Sequence, residues 1–356
     1  MDHRLDTRLL QLAPPSLHGL SVELCAIDEF KGWWCREAHL GSAAEDTRRT
    51  VSESLDALAK VEAFGAPEAR AQSRRVARGS LSAPAAGYAD TLEAVLCDHG
   101  RMEFGEELLL ELHGRLLVSS PAGRKGAGQY RSPCDRAVAT ERGSAAARLA
   151  PMAAHLVPGE TRALIEWTRS RLSGAAFHPL LTISSLLLEL LAIRPFEHGN
   201  ARLARVIGHL LLLRCGYDQV ARVSLDAVVA DRWEPCQIAL HKSLASRRLP
   251  RPDIAPWLGA CLGVLLEHAR RVRVFAEQSP DESLLSANQL GVLRLLDRNR
   301  EITNRAIREG LGLPRDTAKQ VIKRLVALGR VEVFGAGRAV RYRRTVRRRD
   351  SGGPTR

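Results

Sequence analysis

Two strongly apolar helical runs, separated by a short polar break, occupy residues 178–216 and constrain the fold more than any other stretch. In the first run, apolar residues recur at three- and four-residue steps, which predicts a helix with one broad buried face. Pro195 lacks a backbone donor and disfavours helical geometry at the preceding residue, so this helix should end at Arg194. Gly199 can adopt backbone angles closed to other residues, and Asn200 can cap the next helix.

The break itself, residues 194–202, allows two interpretations. A tight turn that opens a helix leaves backbone N–H groups pointing at one place, which predicts an anion pocket to which Arg202 and Arg205 add charge. The alternative is a plain helical hairpin, in which the two arginines are solvated and Pro195 with Gly199 only forms the turn. The spacing of the proline, glycine and arginine residues, taken alone, favours the plain helical hairpin.

The stretch RPFEHGNARLAR, residues 194–205, resembles the signature of Fic (Fido) domains, His-Pro-Phe-x-Asp/Glu-Gly-Asn-Gly-Arg-x-x-Arg. His178-Pro179-Leu180 also matches a recurrent family feature about one helix earlier. The resemblance covers about residues 88–278 and implies a helical core whose loop binds the phosphates of ATP, with AMP transferred to a hydroxyl of a target protein. The nucleotide-binding residues that it implies are Gly199, Asn200, Ala201, Arg202 and Arg205.

Two departures from the family pattern affect its chemistry. Arg194 stands where the family has the histidine that serves as general base, and a guanidinium stays protonated and cannot accept a proton. His198 stands where an acidic residue holds Mg²⁺, and imidazole is a poor ligand for a cation that prefers oxygen. Glu197 occupies the family's variable position, from which we expect it to point elsewhere. We therefore predict a degenerate motif, no metal site and no assignable catalytic residue, with Arg194 as an added cation in the phosphate pocket.

ATP or another nucleotide is the cofactor that the resemblance favours, although none is certain, and Mg²⁺ has weak support. The alternative function is an active enzyme, a protein adenylyltransferase or a related nucleotidyl- or phosphotransferase that avoids the usual histidine. His155, His178 and His209 are candidate replacement bases, but the sequence gives none of them a position in the pocket. A lone histidine near an apolar helix is more often packed and hydrogen bonded than catalytic.

Two further segments bear on this core. Some family members carry a Ser/Thr-x-x-x-Glu-Gly segment that inhibits the site, and the nearest stretch here, Ser73–Gly79, has Arg78 at the glutamate position. We expect that motif to be absent or lost. Gly128-Gln-Tyr-Arg131 resembles a Gly-x-x-Arg element that the family uses in a flap over the target peptide, and a solvated linker is the equal alternative.

The pattern changes after a linker at 279–285. Helices are predicted at 289–297, 304–310 and 315–328, with Asn304 as the cap of the second and a brief β-prone stretch at Glu301–Thr303 before it. Two strands are predicted to follow, at 331–334 and 339–342 around a Gly-rich turn. This order resembles a winged helix-turn-helix domain. The third helix turns its apolar face inward and leaves donors and cations on the face that would enter a major groove. The predicted DNA-binding residues are Arg315, Thr317, Lys319, Gln320, Lys323, Arg324 and, at the hairpin tip, Arg338.

The distribution of positive charge along the chain favours a polyanion as its partner. Residues 298–349 contain sixteen Lys/Arg and four Asp/Glu, so nearly all of the chain's formal net charge of +13 lies there. Such a density around a helix-turn-helix is typical of DNA binding. The alternative is a winged helix that contacts proteins, followed by a solvated basic tail.

Taken together, the sequence predicts a mainly α protein: a Fic-type helical core with an N-terminal helical extension, plus a small α+β winged helix-turn-helix domain. The expected boundaries are 1–85, 86–280, 281–347 and a basic, disordered tail at 348–356. Seven scattered cysteines and the lack of a signal or membrane-length apolar run predict a cytoplasmic protein. The predicted function is that of a DNA-binding transcriptional regulator whose Fic core is a nucleotide- or ligand-binding module or a scaffold. A protein target and a homodimer stay open.

Overall fold

The computed structural model describes residues 2–37, 43–65, 83–118, 126–132, 152–174, 176–247, 249–278, 285–299, 301–335 and 340–345. These residues are mainly α-helical, with a small antiparallel sheet near the C-terminus. The chain forms two compact units, the first made of residues 1–31 and 43–272 and the second of residues 32–42 and 273–356. Within the described part of the chain, no helix is long and apolar enough to span a bilayer.

The helices that contribute to the first unit pack around one large aliphatic core. They are α1 (Asp2–Leu10), α2 (Pro14–Glu37), α3 (Ala43–Gly65), α4 (Ala83–Asp98), α5 (Glu106–Leu117), α6 (Val157–Ser173), α7 (Pro179–Ile193), α8 (Asn200–Arg214), α9 (Leu225–Asp231), α10 (Trp233–Ser246) and α11 (Ala255–Gln278). Short 3-10 turns occur at His99–Arg101, Ala154–Leu156 and Asp218–Ala221.

Helices α7 and α8 hold the most deeply buried part of this core. In α8, eleven of the fifteen residues are buried, so the helix is covered on nearly all sides. A helix that is apolar nearly all round is stable only in an interior, which explains why these two runs constrain the fold. The polar break between them is therefore held on both sides by buried helices.

The N-terminal region differs from expectation. Residues 1–20 are predicted to be irregular, and this is wrong, because α1 and the start of α2 lie there. Leu5 and Leu9, one turn apart on α1, are buried in the core. Pro14 is the first residue of α2, a position where a missing N–H costs no helical hydrogen bond. The proline pair thus begins a helix.

The second unit contains three helices and a hairpin near its C-terminal end: α12 (Ala287–Arg298), α13 (Asn304–Leu311), α14 (Arg315–Ala327), β1 (Val331–Phe334) and β2 (Arg341–Arg344). The strands are antiparallel, with Val333 opposite Tyr342. Ile302, in the predicted β-prone stretch before α13, forms a bridge to Tyr342. The second strand begins two residues later than predicted, and residues 336–339, including Arg338, lie outside the described residues.

Local chemistry at the helix ends of this unit follows ordinary capping rules. Ser286 and Gln289 form a reciprocal capping box at the start of α12. Thr303, rather than the predicted Asn304, caps α13 by accepting from the N–H of Ala306 at 3.2 Å. A small aliphatic core, centred on Val292, Ile307 and Leu325, holds the three helices together.

Candidate functional site

The polar break starts where α7 ends, at Arg194, as predicted. Its backbone is left-handed, with φ 51° and ψ 68°, and its N–H closes the helix on Leu190 O at 3.0 Å. Among the described residues it is the only one other than glycine with positive φ. An L-residue in this conformation costs about 1–2 kcal/mol, which the surrounding contacts must offset. The side chain is only 3% exposed.

Arg131 is hydrogen bonded to the backbone carbonyls at the start of the break. Its backbone N–H donates to Pro195 O at 3.0 Å, its Nε donates to Arg194 O at 2.8 Å, and its Nη2 donates to Met152 O. The residue is buried. A guanidinium with its five donors suits this role, because it satisfies several carbonyls at a helix C-terminus at once. The solvated-linker interpretation is therefore wrong for Arg131.

His113, on α5, contacts both the break and the loop at Gly128, and the sequence analysis did not identify this residue. Its ring stacks on Phe196, with centroids 3.7 Å apart. Nδ1 accepts from the N–H of Gly128 at 3.0 Å, so the proton is on Nε2, which donates to His198 O at 3.0 Å. Burial lowers the pKa of His113 to about 4, which keeps the ring neutral at physiological pH.

Asn200 closes the break on itself. Its side-chain oxygen accepts from the N–H of Phe196 at 3.0 Å, and its side-chain nitrogen donates to Phe196 O at 2.8 Å. The residue is 1% exposed. It is therefore the first residue of α8 and not its cap, because its side chain points back into the loop.

Gly199 occupies the N-cap position instead, with φ 77°. A Cβ there would lie 3.6 Å from His113 Nε2 and 3.7 Å from Leu117 Cδ2, which are ordinary contacts. Backbone conformation, rather than lack of space, is thus the reason for glycine at this position.

The start of α8 offers donors and positive charge. The described structure provides no protein acceptor for the backbone N–H groups of His198, Gly199 and Ala201. Arg202 and Arg205, on the first two turns of α8, are half-buried, and the guanidinium of Arg205 lies 5.9 Å from the centre of the Trp233 ring. This arrangement is suited to a phosphate or carboxylate.

Glu197 and His198 lie side by side at the position where the resemblance implies a metal ligand. Their side chains are partly exposed, and His198 Nε2 is 3.6 Å from Glu197 Oε1. No group of three His, Cys, Asp or Glu side chains suited to a metal occurs among the described residues.

The three histidines considered as replacement bases lie apart from the break or are engaged elsewhere. His178 is at the opposite end of the fifteen-residue α7, about 22 Å away at 1.5 Å per residue, and its Nε2 is 2.9 Å from Asp28 Oδ2. His209 is buried more than two turns into α8. His155 is exposed on a 3-10 turn.

A second candidate site lies on α14 of the second unit. Arg315, Lys319, Gln320 and Lys323 are exposed, whereas Thr317 and Arg324 are half-buried. No ion pair links Arg315, Lys319 or Lys323 to another described residue. Arg341, on β2, is also exposed.

Residues 103–212 match the model of the Fic/DOC family, and residues 285–332 match that of a winged helix-turn-helix DNA-binding domain. Among solved structures, a Fic family protein from Desulfovibrio desulfuricans G20 is similar at a TM-score of 0.50 and 18% identity, over 97% of this chain and 98% of that one. At this identity the likeness shows the fold alone.

Two other solved structures are similar at lower scores. A Fic domain containing signaling protein from Bacteroides thetaiotaomicron VPI-5482 has a TM-score of 0.47 and 16% identity, over 71% of this chain and 96% of that one. A fragment of Fic-1 from C. elegans has a TM-score of 0.49 and 17% identity, over 72% of this chain and 71% of that one. A search of curated proteins found no match.

Proposed function

Since the chain carries a Fic domain within residues 103–212 and a winged helix-turn-helix domain within residues 285–332, both predicted from its sequence, we propose that it is a DNA-binding transcriptional regulator. In this proposal the Fic core has lost the usual AMP-transfer chemistry and serves as a nucleotide- or ligand-binding module or as a scaffold. The two halves of the proposal rest on different residues and are tested separately.

The exposed residues of α14 support the DNA-binding part of the proposal. Lys319 and Lys323 lie one turn apart, and in the described structure neither forms an ion pair that would compete with a phosphate. Gln320 is exposed beside them and can pair with the edge of an adenine. Lysines that neutralise phosphates set affinity, whereas a glutamine at a base edge sets sequence preference.

Selection of duplexes from a random pool by the full chain tests this half. The wild type should enrich a defined sequence, because exposed polar side chains on α14 would read base edges. Gln320→Ala should relax the preference at one base position by roughly 1–3 kcal/mol while retaining affinity for duplex DNA in general. Lys60→Ala, an exposed lysine on α3, is the matched control. If the wild type enriches no sequence, the regulator proposal fails.

The start of α8 supports the nucleotide-binding half. Three backbone N–H groups without a protein acceptor, together with Arg202 and Arg205, form an anion site of the type that binds phosphates. Calorimetry of the full chain with ATP should show binding that Arg202→Ala weakens by about tenfold or more, since a charged hydrogen bond contributes roughly 1.5–3 kcal/mol. If the wild-type protein binds no nucleotide, the nucleotide-binding role fails and the Fic core would act only as a scaffold.

The loss of transfer chemistry rests on the residues at the break. Arg194 cannot accept a proton, and it is buried with its backbone carbonyl held by Arg131. The imidazole of His113 packs against the break, but both of its nitrogens are hydrogen bonded to backbone groups and its pKa is lowered to about 4. A general base contributes on the order of 10²–10⁴ in rate, so its loss is a large deficit.

An active nucleotidyltransferase is the alternative, and one observation favours it. The carboxylate of Glu197 faces His198 at the position where the family holds its metal, so an oxygen ligand is present near the phosphate site. Incubating the protein with labelled ATP and cell lysate decides between the two. A labelled band that disappears with Arg194→Ala would establish the enzyme, and an unlabelled lysate is the result that the regulator proposal predicts.

A further inference from the structure

A cavity of about 180 Å³ lies inside the first unit, among α7, α8, α9, α10 and α11. Its walls are mainly aliphatic and aromatic, with Leu180, Leu187, Leu212, Leu240 and Trp257 as representative lining residues. Protein interiors are normally packed without voids of this size, so the space needs an explanation. An apolar cavity of about 150 Å³ is already large enough to bind benzene.

One polar atom in the cavity wall has no hydrogen-bond partner among the described residues. His209 is 1% exposed, and its Nδ1 lies 2.9 Å from Arg205 O. A carbonyl oxygen only accepts, so Nδ1 carries the proton and Nε2 presents a lone pair. No described protein group donates to Nε2. A buried acceptor without a donor is unfavourable, and a donor on a bound molecule would satisfy it.

The other polar groups of the cavity differ from His209. Asp226 already accepts the hydroxyl of Tyr88 at 2.5 Å. Arg205 and Trp233 are half-buried and lie against each other, which places them where the cavity meets the surface. Ser184 and Gln237 also line the cavity, so its wall is mainly but not entirely apolar. Among the described lining residues, Nε2 of His209 is the buried side-chain acceptor without a partner.

We propose that this cavity binds a small, mainly apolar alcohol or phenol whose hydroxyl donates a hydrogen bond to Nε2 of His209. The apolar walls would hold the hydrocarbon part of the ligand, and the imidazole would select for the hydroxyl. This inference depends on neither DNA binding nor nucleotide binding, because it concerns different atoms and its test measures ligand binding directly. Ala201 and Arg205 line both this cavity and the anion site, so the two sites share two residues.

Phenol and toluene are suitable probes, because they have nearly the same shape and only phenol carries a donor. Titration of the full chain, followed by ligand-observed NMR, should show saturable binding of both. In His209→Phe the preference for phenol over toluene should fall about fivefold or more, because a buried hydroxyl would lose its acceptor. His209→Gln, which keeps an acceptor, should retain most of the preference.

Filling the cavity provides an independent variant. Gly208 lines it, and a Cβ there would meet Leu187 Cδ1 at 3.6 Å, an ordinary contact. Gly208→Leu should abolish binding of both probes, whereas Gly208→Ala should change it by less than about threefold, with circular dichroism reporting the fold of each variant. Absence of saturable binding to the wild type overturns the proposal without any variant. A phenol preference unchanged in folded His209→Phe would overturn the role of the imidazole.

Discussion

Replacing Asn200 by alanine should destabilise the first unit far more than its small size suggests. The side chain is 1% exposed and makes two hydrogen bonds to the backbone of Phe196, at 3.0 and 2.8 Å. Phe196 is itself fully buried, so water cannot replace the lost partner. Leaving a buried donor and a buried acceptor unsatisfied costs about 1–3 kcal/mol each. We therefore expect Asn200→Ala to lower the free energy of unfolding by about 2–4 kcal/mol, allowing for partial relaxation.

Equilibrium unfolding in urea, followed by far-ultraviolet circular dichroism, measures this change. For a unit of this size the same loss corresponds to roughly 4–16 °C in Tm. Ala201→Gly is the matched control, because it changes the next residue without removing a hydrogen bond and should cost no more than about 1 kcal/mol. If Asn200→Ala lies within about 0.5 kcal/mol of the wild type, the amide does not hold the loop and the account of this break is wrong.

Three other perturbations of the first unit can be tested. The pKa values of His113 and His268 are lowered from 6.5 to about 4, mainly by burial, so the unfolded chain binds more protons between these limits. The free energy of unfolding, measured with urea, should have its full value above pH 6.5 and should fall towards pH 4 by up to about 3 kcal/mol per histidine. His113→Gln should make this pH dependence weaker. Gly199→Ala should cost about 1–2 kcal/mol for its positive φ, whereas Gly208→Ala should be neutral or stabilising by up to about 1 kcal/mol, as thermal unfolding would show. Arg131→Met, which removes the side-chain donor to Arg194 O, Met152 O and Ile193 O, should increase proteolysis near Pro195, and an unchanged cleavage pattern would contradict the supporting role of Arg131.

Features with a local cause could be predicted from sequence. The end of α7 follows from Pro195, and the order of helices and strands in the second unit follows from periodicity and turn residues. The error at residues 1–20 has the same basis, since a proline pair stops one helix but also begins the next. The cap of α13 shifted by a single residue, from Asn304 to Thr303, which is within the scatter of such boundaries.

Features that depend on distant parts of the chain could not be predicted. His113 lies 85 residues before the carbonyl that it contacts, and nothing near it in sequence distinguishes it from any histidine on an apolar helix. Asn200 matched a capping residue, yet the closeness of Phe196 turned its side chain back into the loop. The contacts of Arg131 with the carbonyls of Arg194 and Pro195 likewise join residues more than sixty positions apart.

Salt dependence of binding to duplex DNA tests the central claim most directly. Fluorescence anisotropy of a labelled 30-base-pair duplex with the full chain should give a steep linear fall of log K with log salt, because cations on the second unit would displace counterions from phosphates. Lys319→Ala with Lys323→Ala should reduce the slope by about 2, roughly 1 for each lysine, while Lys60→Ala leaves it unchanged. A flat dependence in the wild type, or a slope that the double variant does not alter, would contradict the assignment of α14 as the DNA-reading helix.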